Sequence, residues 1–207
     1  MKDKKLTTIS TNKAQRLAQI ELAVHRLESS PLYAYRIEHG YKPVIGEGNP
    51  SASILFIGEA PGEKEALSGR PFVGRAGQVL DEMLAIISLN REDVYITNII
   101  KDRPPHNRDP KAPEIACYSP YLIEQIEIID PKVIVTLGRF AMNFILRQFS
   151  LPEYGETIGN LHGRVLTAES DLGLIQIIPL YHPAAIFYNR SLEATLFEDF
   201  KKLAQFT

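Results

Sequence analysis

Residues able to do chemistry gather in three short stretches of the chain. The first, GEAPGEKEALSGRPFVGRAG at 58–77, holds the carboxylates Glu59 and Glu65, the aromatic Phe72 and five glycines. The second brings Asn98 at the end of an apolar run, then His106 and Asn107 in a basic, proline-rich segment. The third is His182, followed by Pro183. A carboxylate can position water, and a carboxamide can read a donor–acceptor pair on a planar heterocycle. An aromatic ring can stack on that heterocycle, and a histidine can stabilise developing negative charge. As a set they suit a nucleobase drawn out of its stack.

The glycines of 58–77 first suggest a phosphate cradle. A P-loop needs a GK[ST] tripeptide, and the sequence has none. A dinucleotide fingerprint needs G-x-G-x-x-G, and Gly58, Gly62, Gly69, Gly74 and Gly77 never take that spacing. Pro61 also argues for a rigid turn over an adaptable loop.

The elements that must carry these loops follow from periodicity. Short apolar runs at 53–58, 93–100, 132–138 and 173–183 read as four buried strands. Helical spacing predicts helices over 12–29, 75–88, 113–129, 139–149 and 191–206, with Thr11 or Asn12 capping the first and Pro120 starting or kinking the third. The stretch 31–52 reads as loop. Strands alternate with helices, and the strands are continuously apolar. That pattern predicts an α/β fold: three layers, α/β/α, around a mainly parallel four-stranded sheet. Ligands of such sheets sit beyond the carboxyl ends of the strands, where all three stretches fall.

The chain has 207 residues, 44% apolar and 23% charged, which fits one globular domain over 1–207 with 1–11 flexible. No apolar run approaches the roughly 18 residues of a membrane helix, and the N-terminus has no apolar signal region. The single cysteine, Cys117, allows no internal disulfide, so a cytoplasmic location is the default. A net charge of −2 argues against a general nucleic-acid coat but permits a local basic face. Arg70, Arg75, Lys101, Arg103, Arg108 and Lys111 could form one; a solvated surface is the plain alternative.

Four motifs, GEAPGEKEALSGRPFVGRAG, VYITNIIKDRPPHNRDP, VIVTLGRFA and YHPAA, resemble in order and spacing the family 4 uracil-DNA glycosylases. GEGNP at 46–50 and the last helix also fit, and the resemblance covers roughly residues 25 to 205. It implies hydrolysis of the bond between uracil and deoxyribose in DNA. Phe72 would stack on the flipped base, and Asn98 would meet N3 and O4, rejecting cytosine by leaving partners unpaired. His182 would donate to O2, and Glu59 would face the sugar and its attacking water. Gly58, Ala60, Glu65 and Asn107 match other positions around the pocket. Ile186, Phe187 or Tyr188 would enter the minor groove as a wedge. Arg190 and the basic loop residues would contact phosphates. The implied partner is uracil-containing DNA, met by a monomer with no membrane attachment.

The chain departs from that family at one feature. The resemblance implies a four-iron–four-sulfur cluster on four cysteines, but the matching positions are Leu27, Ser30, Asp102 and Tyr118. Cys117 is one place off, and a single thiol cannot hold a cluster. The expectation is therefore no cofactor. Leu27, Tyr118 and Tyr33 would fill the volume, and Asp102 would pair with an arginine or lysine.

Every site residue also has a plain structural reading. Phe72 could be core, Asn98 a turn residue, His182 a partner for a loop carbonyl, and Glu59 and Glu65 solvated. His25, His39, His106 and His162 show no grouping. A damaged-DNA binder without turnover and a nucleoside hydrolase are the other functions the sequence admits, and so are bases such as hypoxanthine or xanthine.

Overall fold

A computed structural model describes residues 2–170 and 173–206, with the backbone alone for 2–11. Helix α1 (Lys2–His25) starts earlier and ends sooner than the spacing predicts. The expectation that 1–11 is flexible concerns Met1 and side chains outside the described set. The next elements are α2 (Tyr33–Glu38), β1 (Glu47–Gly48), β2 (Ile54–Gly58), α3 (Glu63–Ser68), α4 (Arg75–Ile86) and β3 (Tyr95–Asn98). They are followed by α5 (Ala112–Ile129), β4 (Val133–Leu137), α6 (Arg139–Gln148), α7 (Ile158–Leu161) and β5 (Leu166–Ser170). The chain closes with β6 (Gly173–Leu180), α8 (Ala185–Tyr188) and α9 (Leu192–Lys201). Helix α5 runs unbroken through Pro120; its start is set by Lys111, whose N–H donates to Glu114 at 2.8 Å.

The strands form one sheet in the order β1-β3-β2-β4-β6-β5. The four expected strands make its parallel centre, β3-β2-β4-β6. The sheet has six strands rather than four, because β1 and β5 add antiparallel edges. Strand β5 alternates buried and exposed residues, as a half-covered edge must, so it offers no continuous apolar run. Strand β1 is two residues long.

Side chains alternate across the sheet and build two cores, giving the three layers. Leu55, Ile57, Ile134 and Ile177 face α1, α5 and α6. Phe56, Val133, Val135 and Ile178 face α4 and α9. Burial on both faces is what a central parallel strand requires. The shared direction of β2, β3, β4 and β6 brings the loops after them to one end of the sheet. Among the described residues no helix is long and apolar enough to cross a membrane.

Candidate active site

A cleft of about 500 Å³ opens at the carboxyl ends of the parallel strands. Glu59, Phe72, Asn98, Asn107, His182 and Tyr188 all line it. Three loops far apart in sequence thus converge, as the topology dictates.

Phe72 is held by several independent contacts. Its φ is 52°, a left-handed conformation that costs a large residue on the order of 1–3 kcal/mol. Arg91 donates to the carbonyls of Pro71, at 3.0 Å, and of Phe72, and is itself paired with Glu47 and Asp81. Glu65 Oε1 accepts the N–H groups of Val73 at 2.9 Å and Gly74 at 2.8 Å, just ahead of α4. A Cβ at Gly77 would lie 1.7 Å from the Phe72 oxygen, so only glycine admits this turn. Glu65 lines the cleft, but its hydrogen bonds go to the loop that carries Phe72.

Asn98 ends β3 directly opposite Gly58 of β2. A Cβ on Gly58 would come within 2.3 Å of Asn98 Oδ1 and 2.7 Å of Phe72 Cζ. The missing side chain is what lets amide and ring share one corner. Asn98 is buried, and its Oδ1 has no hydrogen-bond partner among the described residues. A buried, unmet acceptor costs roughly 1–3 kcal/mol and asks for a donor from outside.

His182 follows β6, its ring centroid 5.7 Å from that of Phe72. Its Nδ1 accepts the N–H of Ala184 at 3.1 Å, so the neutral ring carries its proton on Nε2. Burial pushes its pKa down to about 4, against a smaller upward pull from Glu65. The ring is therefore a neutral donor near pH 7. Glu59 sits at the first turn after β2, and its pKa is pushed up to about 7, chiefly by burial and then by Asp109, with Arg139 opposing. Arg139 and Asp109 form an ion pair at 2.7 Å. No local signal marked that pair, which joins α6 to the loop after β3.

The loop after β3 is anchored at several points. Arg103 Nε donates to Asn107 Oδ1 at 2.8 Å, and Nη1 donates to Tyr41 and to Glu63 at 3.1 Å. His106 and Asn107 both take positive φ, 55° and 54°. Ala60 and Gly62 complete the near wall.

The expected phosphate contacts divide into three groups. Lys101 is corrected: it is fully buried, bonded to Thr97, Asn98 and Gln125, and burial pushes its pKa down to about 7. Arg103 is corrected too, since its guanidinium is buried and committed to the loop. Arg108 is held by both oxygens of Glu114 at 2.9 and 2.5 Å, and Arg70 by Glu47 at 2.7 Å. Arg75 and Arg190 lie exposed, Arg75 stacking 4.3 Å over the Phe187 ring. On α8, Ile186 packs against the core and Phe187 is partly covered, whereas Tyr188 is 91% exposed at the cleft mouth.

A second cluster lies behind the loop after β3. Ser30, Asp102 and Tyr118 meet, with Leu27 packed against the same core. Tyr118 donates to Asp102 Oδ2 at 2.5 Å, which leaves Ser30 to donate to the tyrosine oxygen at 2.6 Å. Arg36 Nη1 lies 3.2 Å from both Asp102 oxygens, and Arg36 also donates to the carbonyls of Val24 and His25. Its guanidinium sits 5.0 Å above the Tyr33 ring. Burial pushes the Asp102 pKa up, with Tyr118 and Arg36 opposing. The arginine or lysine expected to pair with Asp102 is thus Arg36.

A family profile described as the uracil DNA glycosylase superfamily matches residues 45–205. The chain is 50% identical over 162 residues to a type-4 uracil-DNA glycosylase of Archaeoglobus fulgidus, covering 78% of this chain and 80% of the other. It is 47% identical over 163 residues to one from Saccharolobus solfataricus, covering 78% and 74%. It is 43% identical over 168 residues to one from Thermotoga maritima, covering 79% and 82%.

Proposed function

The chain belongs to the uracil DNA glycosylase superfamily, in its type-4 branch, and we propose from that premise that it excises uracil from DNA and leaves an abasic site. The observation that carries the reading is the unmet Asn98 Oδ1, buried in the same cleft as Phe72 and His182. Uracil N3–H is the donor it lacks. The same amide donates to O4 through Nδ2, so cytosine, with the reversed pattern, leaves both partners unpaired. Phe72 supplies the stacking face.

The bond from C1′ to N1 then breaks, and its electron pair goes to N1 and spreads to O2. The neutral His182 donates a hydrogen bond from Nε2–H to O2, keeping its proton, and stabilises that charge. Glu59 orients a water towards C1′ and takes its proton as the oxygen bonds to the sugar. The uracil anion takes a proton from solvent. Tyr188 is the wedge that holds the gap, and Arg75 and Arg190 are the cations best exposed to meet phosphate. A cytoplasmic monomer fits the lone cysteine and a cleft built wholly within this chain.

The residues at the expected cluster positions do not fit an iron–sulfur group. They offer an alkyl chain, a hydroxyl, a carboxylate and a phenol, with no thiolate. The carboxylate and phenol are bonded to each other, and the carboxylate also to Arg36. The polar network holds the loop in the cluster's stead, and purified protein is expected to contain no stoichiometric iron.

The test is direct. Purified protein is incubated, with EDTA present, with an oligonucleotide carrying one uracil, then treated with alkali. Strand scission at the uracil supports the reading; an intact strand opposes it.

A further inference from the structure

Lys101 occupies a core position. It follows β3 by three positions, turns back into the core and is 0% exposed. Its Nζ lies 2.8 Å from Thr97 Oγ1, 2.8 Å from the main-chain oxygen of Asn98 and 2.6 Å from Gln125 Oε1. The two carbonyl oxygens have no hydrogen to return, and the Thr97 hydroxyl has its closest acceptor elsewhere. The Thr97 hydroxyl donates to the Ile45 carbonyl at 2.6 Å, and Gln125 Nε2 donates to the same oxygen at 3.0 Å. Three acceptors require three N–H bonds, which an ammonium has and a neutral amine lacks. Burial opposes the charge, and no carboxylate among its bonded partners offsets that cost. A charge kept unpaired and out of water is costly, and a methionine or leucine would fill the space more cheaply.

The charge sits one hydrogen bond behind the residue that reads the base. The peptide between Asn98 and Ile99 is gripped at both ends: its oxygen by Lys101, its N–H by the Gly58 carbonyl at 2.9 Å. Fixing that plane fixes the direction in which the Asn98 side chain leaves the strand.

We infer that Lys101 is a positioning residue for base excision: it clamps the peptide that carries Asn98, and its ammonium places a positive charge behind the ring that departs as an anion. The inference rests on the uracil-excision reading. While the base is neutral the charge gains little. As the bond to the sugar breaks, the electron pair moves onto the ring, and a positive charge in a water-poor site then stabilises it. Such an interaction acts on kcat and leaves KM nearly unchanged.

Two variants separate charge from packing. Lys101→Met keeps the length and removes the charge and the clamp. Gln125→Glu keeps the lysine and its bond to Asn98 but sets a counter-charge beside it. Each is tested in single turnover, at saturating enzyme, on DNA carrying uracil or 5-fluorouracil. The fluorinated ring is the better anionic leaving group and needs less help. Both variants are expected to slow uracil release by about tenfold, equivalent to about 1.4 kcal/mol of barrier, and to slow 5-fluorouracil release less. The ratio of the two rates therefore rises, with apparent DNA affinity within about twofold. Equal slowing of both bases, or no slowing, overturns the inference. Should Lys101→Met fail to fold, Gln125→Glu carries the same test. If the wild-type protein releases neither base, the excision reading has failed; if it releases both and the ratio stays fixed in the variants, only the role of Lys101 has.

Discussion

Tyr118 gives its phenolic hydrogen to Asp102 Oδ2 at 2.5 Å, joining helix α5 to the loop that follows β3. Arg36, from α2, closes on the other side of the same carboxylate at 3.2 Å. Three separate elements are thus tied at the point where the family's cysteines would stand. Removing one partner leaves the others buried and unmet. Arg36→Met is expected to destabilise the fold by about 3–5 kcal/mol, since it strands a buried carboxylate. Tyr118→Phe is expected to cost about 1–3 kcal/mol. Urea unfolding measures both, and a loss under about 1 kcal/mol for Arg36→Met would mark the pair as solvated.

Gly58 has its value through what it lacks. Alanine there would bring a Cβ within 2.3 Å of Asn98 Oδ1 and 2.7 Å of Phe72 Cζ. Gly58→Ala is expected to cut uracil excision by roughly 100-fold, the scale on which about 1 Å of misplacement acts. Its circular dichroism should match wild type. Unchanged activity would mean that amide and ring do not work from this shared corner.

Glu59 predicts the pH profile. Its pKa is pushed up to about 7, and the carboxylate is the form that orients and deprotonates water. The rate should therefore fall about tenfold per pH unit below 7. His182, held down to about 4, stays neutral across this range and adds no limb there. Glu59→Gln should abolish the limb along with most of the rate. The stability effect has the opposite sign. The folded pKa lies above the unfolded one, so the contribution of Glu59 is greatest below about 4.5 and is lost as pH rises through about 7. Glu59→Gln should then be more stable than wild type at pH 8, and a less stable variant would contradict the burial argument.

Tyr188 and the exposed arginines predict how the protein meets a duplex. Tyr188→Ala should slow excision from double-stranded DNA several-fold more than from single strands, because only the duplex must be held open. Arg75→Ala and Arg190→Ala should each weaken binding and lower the salt slope by about one unit. Equal effects of Tyr188→Ala on both substrates would remove the wedge role.

The sequence carried the site more fully than its supports. The four central strands were legible because parallel strands covered on both faces must be continuously apolar. Glu59, Asn98 and His182 were legible because each stands at or within two residues of a strand's end, on the side where the topology forms a cleft. Strand β5 was not, since an edge strand alternates and its LTAES run imitates a loop. Lys101 and Arg103 read as surface cations because some of the partners that bury them lie far along the chain: Gln125 for the one, Tyr41 and Glu63 for the other. Arg91, which fixes Phe72 from nineteen residues away, gave no local sign at all.

The most direct measurement is release of free uracil, followed by chromatography, from a duplex with a single uracil. Wild-type protein and Asn98→Ala are compared at equal occupancy of the DNA. The account predicts free uracil and an abasic strand from the wild type, and a rate at least about 100-fold lower from the variant, which loses both hydrogen bonds to the base. Wild-type protein that binds this duplex yet releases no uracil, or a variant that releases it at the wild-type rate, would contradict it.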